Sequence, residues 1–219
     1  MTLTVDEILI ADPAAAWATA GFAVDADDVC RIGEVRLRLI GSGPGTGIIG
    51  WSLRGFTGTD LDGIPTQASQ SAPPTQASQS APPTPAPEHP NGVVGIDHIV
   101  LMSPDLARTV AALHDAGEQP RRERDAELGG RPIRQIFYRL GEVILEVVGT
   151  PGASGDGPAE LWGLTYNVAD IDSTAAFFGD RTGRVKDAVQ PGRRITTLRH
   201  RDAGMSVRTA FITQPGSAR

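Results

Sequence analysis

The sequence predicts an α+β protein built from tandem β-α-β-β-β modules, and three observations predict it. Residues 95–149 carry the pattern of a strand, a helix and three strands, and residues 161–213 repeat that order. Two segments before residue 42 also match parts of residues 95–149 at fixed offsets. Modules of about 50 residues cannot bury their own sheet face, so they are expected to pair and close a core.

The first complete module opens with the strand G-I-D-H-I-V-L and closes with the strand R-L-G-E-V-I-L-E-V-V-G. Strict alternation places Ile96, His98 and Val100 on one face of the opening strand, and Ile144 with Glu146 on one face of the closing strand. A single polar group among β-branched neighbours is costly to bury unless it has a partner. His98 and Glu146 are therefore candidates for a metal site or for a buried polar pair.

A helix follows the opening strand. It begins at Pro104, carries Leu106, Val110 and Leu113 at i, i+4 and i+7, and ends at Gly117. The three strands that complete this module are predicted at about 119–127, 132–140 and 142–149. The second module repeats the helix, and its later strands are predicted at about 184–189, 194–200 and 205–213.

The N-terminal region reads as a shortened copy of these modules. The segment V-D-E-I-L-I-A-D-P (5–13) matches I-D-H-I-V-L-M-S-P (96–104) at an offset of 91. The segment R-I-G-E-V-R-L-R-L-I-G (31–41) matches the closing strand (139–149) at an offset of 108. The region is therefore expected to fold like the C-terminal modules.

Short sequence signals predict a helix, a turn and a strand in the N-terminal half. Asp12 is expected to cap a short helix that begins at Pro13 and stops at Gly21. The glycine-rich turn G-S-G-P-G-T-G lacks the lysine and the helix of a phosphate-binding loop. The second module of this half is expected to shrink to little more than one strand, I-I-G-W-S-L-R-G.

A low-complexity segment separates the two halves. Residues 66–83 repeat T-Q-A-S-Q-S-A-P-P twice, and proline, serine, glutamine and alanine bury too little apolar surface to fold. Residues 65–93 are therefore predicted to be a disordered or polyproline-like linker. The chain is thereby divided into a degenerate N-terminal half (1–64), the linker, a C-terminal half (94–214) and a tail (215–219).

The distribution of charge argues against a nucleic-acid partner. The 219 residues carry a net charge of −6, with ten acidic and four basic residues in 1–93 and sixteen of each in 94–219. The C-terminal half is neutral and arginine-rich, whereas affinity for nucleic acid requires a concentrated basic surface. Its arginines are better suited to ion pairs or to an anionic small molecule.

Two further features restrict the class of protein. Cys30 is the only cysteine, which excludes an internal disulfide framework and a cysteine-based metal cluster. No apolar run in the sequence is long enough to span a membrane, and no basic segment precedes Ile8. A cytoplasmic protein with no membrane partner is expected.

The motifs D-H-I-V-L and I-L-E-V-V, at the two ends of a βαβββ module, resemble those of the vicinal oxygen chelate superfamily. That superfamily includes glyoxalase I, bleomycin-resistance proteins and extradiol dioxygenases. The resemblance covers residues 95–213 well and residues 3–62 in part. It implies half-barrel cups in which the first and last strands of each module hold a divalent metal ion such as Zn, Mn, Ni or Fe. His98 and Glu146 occupy those positions, and the resemblance makes Glu146 a ligand or proton shuttle.

Other ligand positions depart from the family pattern. The second module carries Gly163 and Ala210 there, and the N-terminal half carries Glu7 and Arg38. Gly163 and Ala210 offer no ligand, and Arg38 is a fixed cation that no metal site tolerates. A divalent ion requires at least three protein ligands, so the metal site is expected to be incomplete.

Three interpretations of His98 and Glu146 remain open. They bind a metal ion completed by Glu7, water or substrate; they form a hydrogen-bonded pair in a metal-free cup; or they are structural polar groups. An ion pair between Glu7 and Arg38 would keep buried charge balanced at a lost metal position and favours the second interpretation.

Candidate substrate-binding residues lie in the same half. Arg134 and Gln135 alternate on one strand, so one of them is expected to face the cup. The turn D-A-V-Q-P-G-R-R carries Gln190, Arg193 and Arg194, and arginines hold carboxylates or phosphates bidentately. The alternative is an ordinary proline-glycine turn with solvated arginines.

Two functions follow from the resemblance. One is a cup that binds a small-molecule ligand, and the other is a metal-dependent lyase, isomerase or dioxygenase acting on a small oxygenated substrate. A homodimer is compatible with either. Neighbouring modules 95–149 and 161–213 are expected to close one cup, because sequential elements usually lie adjacent. The alternative pairs residues 3–41 with 95–149, which would bring Glu7 and Arg38 to the site.

Overall fold

The computed structural model describes residues 2–71 and 88–216, and within them the chain forms mixed sheets and helices around a shared core. The N-terminal half contains β1 (Thr4–Ile10), α1 (Ala14–Thr19), β2 (Val29–Ile32), β3 (Val35–Leu39), β4 (Ile48–Arg54), β5 (Asp60–Leu61) and β6 (Ile64–Ala68). The C-terminal half contains β7 (Val93–Met102), α2 (Leu106–Asp115), β8 (Arg122–Leu128), β9 (Arg131–Leu140), β10 (Val143–Gly149), β11 (Glu160–Val168), α3 (Ile171–Phe178), β12 (Lys186–Asp187), β13 (Arg194–Thr197) and β14 (Arg208–Thr213). The predicted α+β class is confirmed.

The C-terminal strands form one eight-stranded sheet among the described residues, in the order β12-β13-β14-β11-β7-β10-β9-β8. In each module the first and last strands are parallel neighbours, β7 beside β10 and β11 beside β14. The antiparallel pair β7 and β11 joins the two modules. Neighbouring modules therefore share one curled sheet, as expected, and the alternative pairing of residues 3–41 with 95–149 is wrong.

The N-terminal strands form a separate sheet, six-stranded within the described residues, in the order β2-β3-β1-β4-β6-β5. β1 is parallel to β3, and β4 is parallel to β6, so the module pattern recurs without a second helix. The second module therefore keeps three strands where the sequence suggested little more than one.

The first edge of the predicted linker belongs to this sheet. β6 runs through Ala68, and Thr66 is buried while its hydroxyl accepts a hydrogen bond of 2.8 Å from Trp51 Nε1. The expectation of a linker from residue 65 is therefore wrong at this end, because pairing and burial outweigh composition. Most of the repeat, residues 72–83, lies outside the described residues.

The other edge of the predicted linker is also packed. His89 is buried, and its Nδ1 accepts a hydrogen bond of 3.0 Å from Ala23 N, so its proton lies on Nε2, 3.1 Å from Arg31 O. Asn91 donates 3.0 Å to Ala20 O. These bonds fasten the start of the C-terminal half to the N-terminal half.

Burial of His89 predicts a loss of stability in acid. Burial lowers the pKa of His89 from the ordinary value of 6.5, more than its hydrogen bond to the Arg31 carbonyl raises it. The unfolded chain therefore binds a proton first as the pH falls through 6.5, and the free energy of unfolding decreases. We expect a decrease of up to about 1.4 kcal/mol per pH unit, measured by urea denaturation.

Burial also lowers the pKa of His200, which contributes to the same pH dependence. A comparison of variants is therefore needed to isolate the contribution of His89. His89→Gln should reduce the pH dependence below neutrality, whereas His114→Gln, at a side chain 67% exposed, should leave it unchanged. An equal pH dependence in wild type and His89→Gln would contradict the assignment.

Residues that flank α1 make several contacts between the halves. The predicted helix cap is wrong, since Pro13 precedes the helix without a side-chain cap and Asp12 instead accepts a hydrogen bond of 3.0 Å from Trp17 Nε1. Asp12 also accepts bonds from Ser206 N and Oγ, in the loop before β14. Phe22 packs against Tyr166, with ring centroids 5.3 Å apart. The non-cup faces of the two sheets therefore contribute to one core.

No helix in the described part of the chain is long and apolar enough to cross a membrane.

Candidate functional site

A β-bulge shapes the candidate site. Thr165 pairs with His98 and Tyr166 pairs with Ile96, so Asp97 has no partner on β11. The extra residue shifts the alternation, and Ile96 lies in the core instead of beside His98. The prediction that Ile96 and His98 share a face is therefore wrong.

The bulge brings Asp97 within hydrogen-bond distance of its neighbour. His98 Nδ1 lies 2.8 Å from Asp97 Oδ2, so Nδ1 carries the proton, and Nε2 lies 3.4 Å from Glu146 Oε2. Gln135 donates to Glu146 Oε1, and Arg124 Nε donates 2.9 Å to Gln135 Oε1. We call Asp97, His98, Glu146, Gln135 and Arg124 the polar track. It crosses β7, β10, β9 and β8 on the concave face of the sheet.

The track ends in a buried ion pair. Arg193 Nη2 lies 2.7 Å from Asp97 Oδ1, and the two side chains are 11% and 4% exposed. Arg193 also donates to Asn167 Oδ1 and to the Thr213 carbonyl oxygen, each at 2.7 Å. Burial raises the pKa of Asp97, but hydrogen bonds and charges from His98 and Arg193 lower it more, so the pKa of this carboxyl lies below its usual range.

A cavity of about 460 Å³ opens above the track, within the size range of small-molecule sites. It is lined by Asp97, His98, Arg121, Arg122, Phe137, Tyr138, Arg139, Ile144, Gln190 and Arg193, and we call it the arginine cavity. Its lining includes four arginines and one carboxylate, Asp97, which is already paired with Arg193. The arginine cavity therefore has the electrostatics of an anion site.

The aromatic wall of this cavity also positions a cation. The Arg122 guanidinium lies 4.6 Å above the Phe137 ring centroid, a cation–π geometry that holds it flat over the cavity. Arg139 donates 2.6 Å to the Gly141 carbonyl oxygen and keeps its other N–H groups available to a ligand. Both guanidinium groups can bind a carboxylate or phosphate bidentately.

The structure separates the predicted binding residues into two groups. Gln190 and Arg193 line the arginine cavity, and Gln135 belongs to the polar track. Arg134 alternates with Gln135 onto the opposite face, where it pairs with Asp125 at 2.7 Å. The prediction for Arg194 is wrong, because it pairs with Asp172 of α3 on the helix side of the sheet.

Several site residues were missed in the sequence. Arg122 and Arg124 are two residues apart on β8, which places them on one face, and that spacing was visible in R-R-E-R-D-A-E-L. Arg139 on β9 pairs with Ile144 on β10, and this register places both residues in the lining of the arginine cavity. Asp97 had no signal, because strict alternation places it opposite His98.

The donor atoms do not fit a metal ion. The described residues contain no group of three or more His, Cys, Asp or Glu side chains that could hold one. His98 Nε2 and Glu146 Oε2 are two adjacent donors, but Asp97 lies on the far edge of the imidazole ring. Gln135 turns its N–H toward Glu146, and its oxygen accepts from Arg124. Two protein donors fall short of the three that divalent sites in proteins use.

The N-terminal sheet repeats this geometry with different chemistry. Asp6 lies in a bulge of β1, between the pairs Val5–Leu53 and Glu7–Ser52. Arg38 donates from Nε and Nη2 to the two oxygens of Glu7, each at 3.0 Å. The predicted ion pair is therefore formed, within the N-terminal sheet and apart from His98.

The two sheets define the class of fold. Paired βαβββ modules that share a cupped sheet, with the polar pair on the first and last strands of one module, are the vicinal oxygen chelate fold, so the fold that the resemblance implied is confirmed. No protein-family model and no curated protein matches the sequence.

Solved structures share the fold over the whole chain. A mutant of 4-hydroxymandelate synthase from Streptomyces coelicolor is 13% identical, with a TM-score of 0.64 over 100% of this chain and 94% of that chain. An extradiol ring-cleaving dioxygenase from B. fuscum is 15% identical, with a TM-score of 0.56 over 98% of this chain and 72% of that chain. At these identities the likeness shows the fold alone.

Proposed function

We propose that the protein binds a small anionic molecule in the cup of the C-terminal sheet, without a bound metal ion. The observation that carries the proposal is the polar track, in which Asp97 holds His98 Nδ1 and Gln135 holds Glu146 Oε1, so that no third donor for a metal ion is present within the described ranges. The arginine cavity beside it keeps a surplus of positive charge.

The proposed binding follows from the order of the charged groups. Asp97 is paired with the Arg193 guanidinium, so the one carboxylate in the lining of the arginine cavity does not repel an incoming anion. Arg122 and Arg139 lie at the cavity wall, where guanidinium groups are weakly hydrated and pair readily with carboxylates or phosphates. Phe137 and Ile144 add apolar surface to the cavity wall, and less polar surroundings strengthen these bonds.

A second candidate function is proton transfer on a bound substrate, as in a lyase or isomerase. The observation that favours it is the orientation of His98 by Asp97, which is how a carboxylate prepares an imidazole as a general base. His98→Gln would then retain ligand binding and abolish turnover. The metal-dependent version of this chemistry would require donors that the site does not bring together.

Titration calorimetry of short carboxylates and alkyl phosphates tests the binding proposal. Arg122→Met and Arg139→Met keep most of each side chain's length and remove its charge, and each should weaken binding by about tenfold, because a charged hydrogen bond is worth about 1.5–3 kcal/mol.

Arg134→Met is the matched control, because its guanidinium pairs with Asp125 on the opposite face of the sheet. Its affinity should equal that of the wild type. An equal loss of affinity in Arg134→Met, or no binding of any small anion to the wild type, would contradict the proposal.

A further inference from the structure

The cup contains a second cavity that the proposed function does not use. It also measures about 460 Å³, its exposed surface is mostly apolar, and we call it the apolar cavity. It is lined by Val100, Trp162, Gly163, Leu164, Thr165, Thr197, Leu198, Arg199, His200, Arg208, Thr209 and Ala210. The Arg208 guanidinium is stacked 4.6 Å from the Trp162 ring centroid, at the wall of this cavity.

The apolar cavity exists because the second module carries small residues at the two family ligand positions. Gly163 and Ala210 lie there, where the first module has His98 and Glu146. A side chain at Gly163 would meet the Arg208 carbonyl oxygen at 2.7 Å, so the close packing of β11 on β14 requires glycine. At these two positions the concave face of the second module therefore carries no polar side chain, whereas the first module carries two.

The two cavities meet at the seam between the modules. His98 lines the arginine cavity, and its cross-strand partner Thr165 lines the apolar cavity. Directly paired residues on antiparallel strands have Cβ atoms about 4.5–5.5 Å apart. Val100, two residues beyond His98 on the same face, also lines the apolar cavity. One trough therefore runs from cationic walls to an apolar floor.

We infer that the ligand is an amphipathic acid, with its carboxylate or phosphate head in the arginine cavity and its apolar tail in the apolar cavity. The inference rests on the proposed function for the head group. The lining of the apolar cavity extends from Val100 on β7 to Thr197 on β13, which is three strand spacings, or about 14 Å. That length corresponds to a medium-chain tail.

A chain-length series measured by titration calorimetry tests the inference. The probes are butyrate, hexanoate and decanoate, with hexyl and decyl phosphate as the alternative head group and decanol as the headless control. Each methylene group buried in the apolar cavity should lower the dissociation constant by about fourfold. Decanoate carries about six more methylene groups than butyrate, so burial of only half of them should tighten binding by about 60-fold.

Ala210→Leu fills the apolar cavity and should reduce the decanoate-to-butyrate ratio to below about threefold. Thr197→Leu, from the facing position on β13, gives a second test if Ala210→Leu does not fold. Ala107→Leu, at an exposed position of α2, is the matched control and should retain the full ratio. Butyrate serves as the internal reference in every variant.

The outcomes separate the two proposals. Equal affinity for butyrate and decanoate in the wild type would overturn the tail assignment and leave the proposed anion site standing. Binding of decanol as tight as that of decanoate would overturn the head assignment, and with it the proposed function. Tighter binding of the alkyl phosphates than of the carboxylates, with the same chain-length gain, would support the inference and assign the head as a phosphate.

Discussion

Arg193→Met should lower the free energy of unfolding by about 3–5 kcal/mol, since it leaves a buried carboxylate without its arginine partner. The Asp97 side chain is 4% exposed, and Arg193 approaches it at 2.7 Å. The same substitution removes the bonds to Asn167 and to the Thr213 carbonyl oxygen, which fasten the turn before β13 to β11 and β14. Urea denaturation at pH 7 measures the change.

The neighbouring residue provides the control. Arg194 forms an ion pair with Asp172 at the same distance of 2.7 Å, but these side chains are 31% and 66% exposed. Arg194→Met should therefore cost less than about 1 kcal/mol. The double variant Asp97→Asn, Arg193→Met should recover more than about 1 kcal/mol relative to the sum of the single changes. Equal effects of Arg193→Met and Arg194→Met would contradict the buried pair.

Asp12→Ala should destabilise the protein by at least about 3 kcal/mol, because it leaves several donors without an acceptor. Asp12 is 2% exposed and accepts from Trp17 Nε1 at 3.0 Å and from Ser206 N at 2.9 Å. Ser206 Oγ in turn accepts a bond of 2.6 Å from Gly47 N, so the network joins α1, the loop before β14 and the loop before β4.

Asp12→Asn retains one acceptor oxygen and should cost about 1 kcal/mol. Glu127→Ala removes an exposed carboxylate and should fall within about 0.5 kcal/mol of the wild type. Thermal denaturation of the three variants measures whether the loss of stability decreases from Asp12→Ala to Asp12→Asn to Glu127→Ala. A loss in Asp12→Ala no larger than that in Asp12→Asn would show that the two halves are held together elsewhere.

The sequence predicted the modules because repetition and alternation report which strand faces are buried. The matches at offsets of 91 and 108 correspond to β1 with β7 and to β3 with β10, and each pair occupies the same place in its sheet. Even the bulge recurs, at Asp6 and Asp97. His98 and Glu146 were recognisable for the same reason, as polar residues at apolar positions.

What the sequence did not predict depends on register and on distant partners. The bulge at Asp97 inverts the alternation that placed it away from His98, and no local signal marks it. Composition assigned Thr66 and His89 to a linker, but each is buried through a hydrogen bond to a residue far along the chain. Arg193 and Arg194 are adjacent arginines, and the sequence does not show which of them faces the cup. The path of the turn decides it, because Arg193 pairs with Asp97 in the cup and Arg194 pairs with Asp172 on α3.

His98 and Glu146 lie at the metal positions that the resemblance implies, but no third donor joins them among the described residues. They are held by Asp97 and Gln135, and the adjoining cavities supply charge and apolar surface for a ligand. Glu146→Gln should therefore preserve the fold and alter ligand affinity, with no change in metal content.

Elemental analysis of dialysed wild-type protein beside His98→Ala tests the metal-free cup most directly. We expect less than about 0.1 equivalent of zinc, manganese, nickel or iron per chain in both proteins, since two donors do not retain a divalent ion through dialysis. We also expect a chelator to leave the wild type's affinity for its anionic ligand unchanged. One equivalent of metal retained by the wild type and lost in His98→Ala would contradict the metal-free cup.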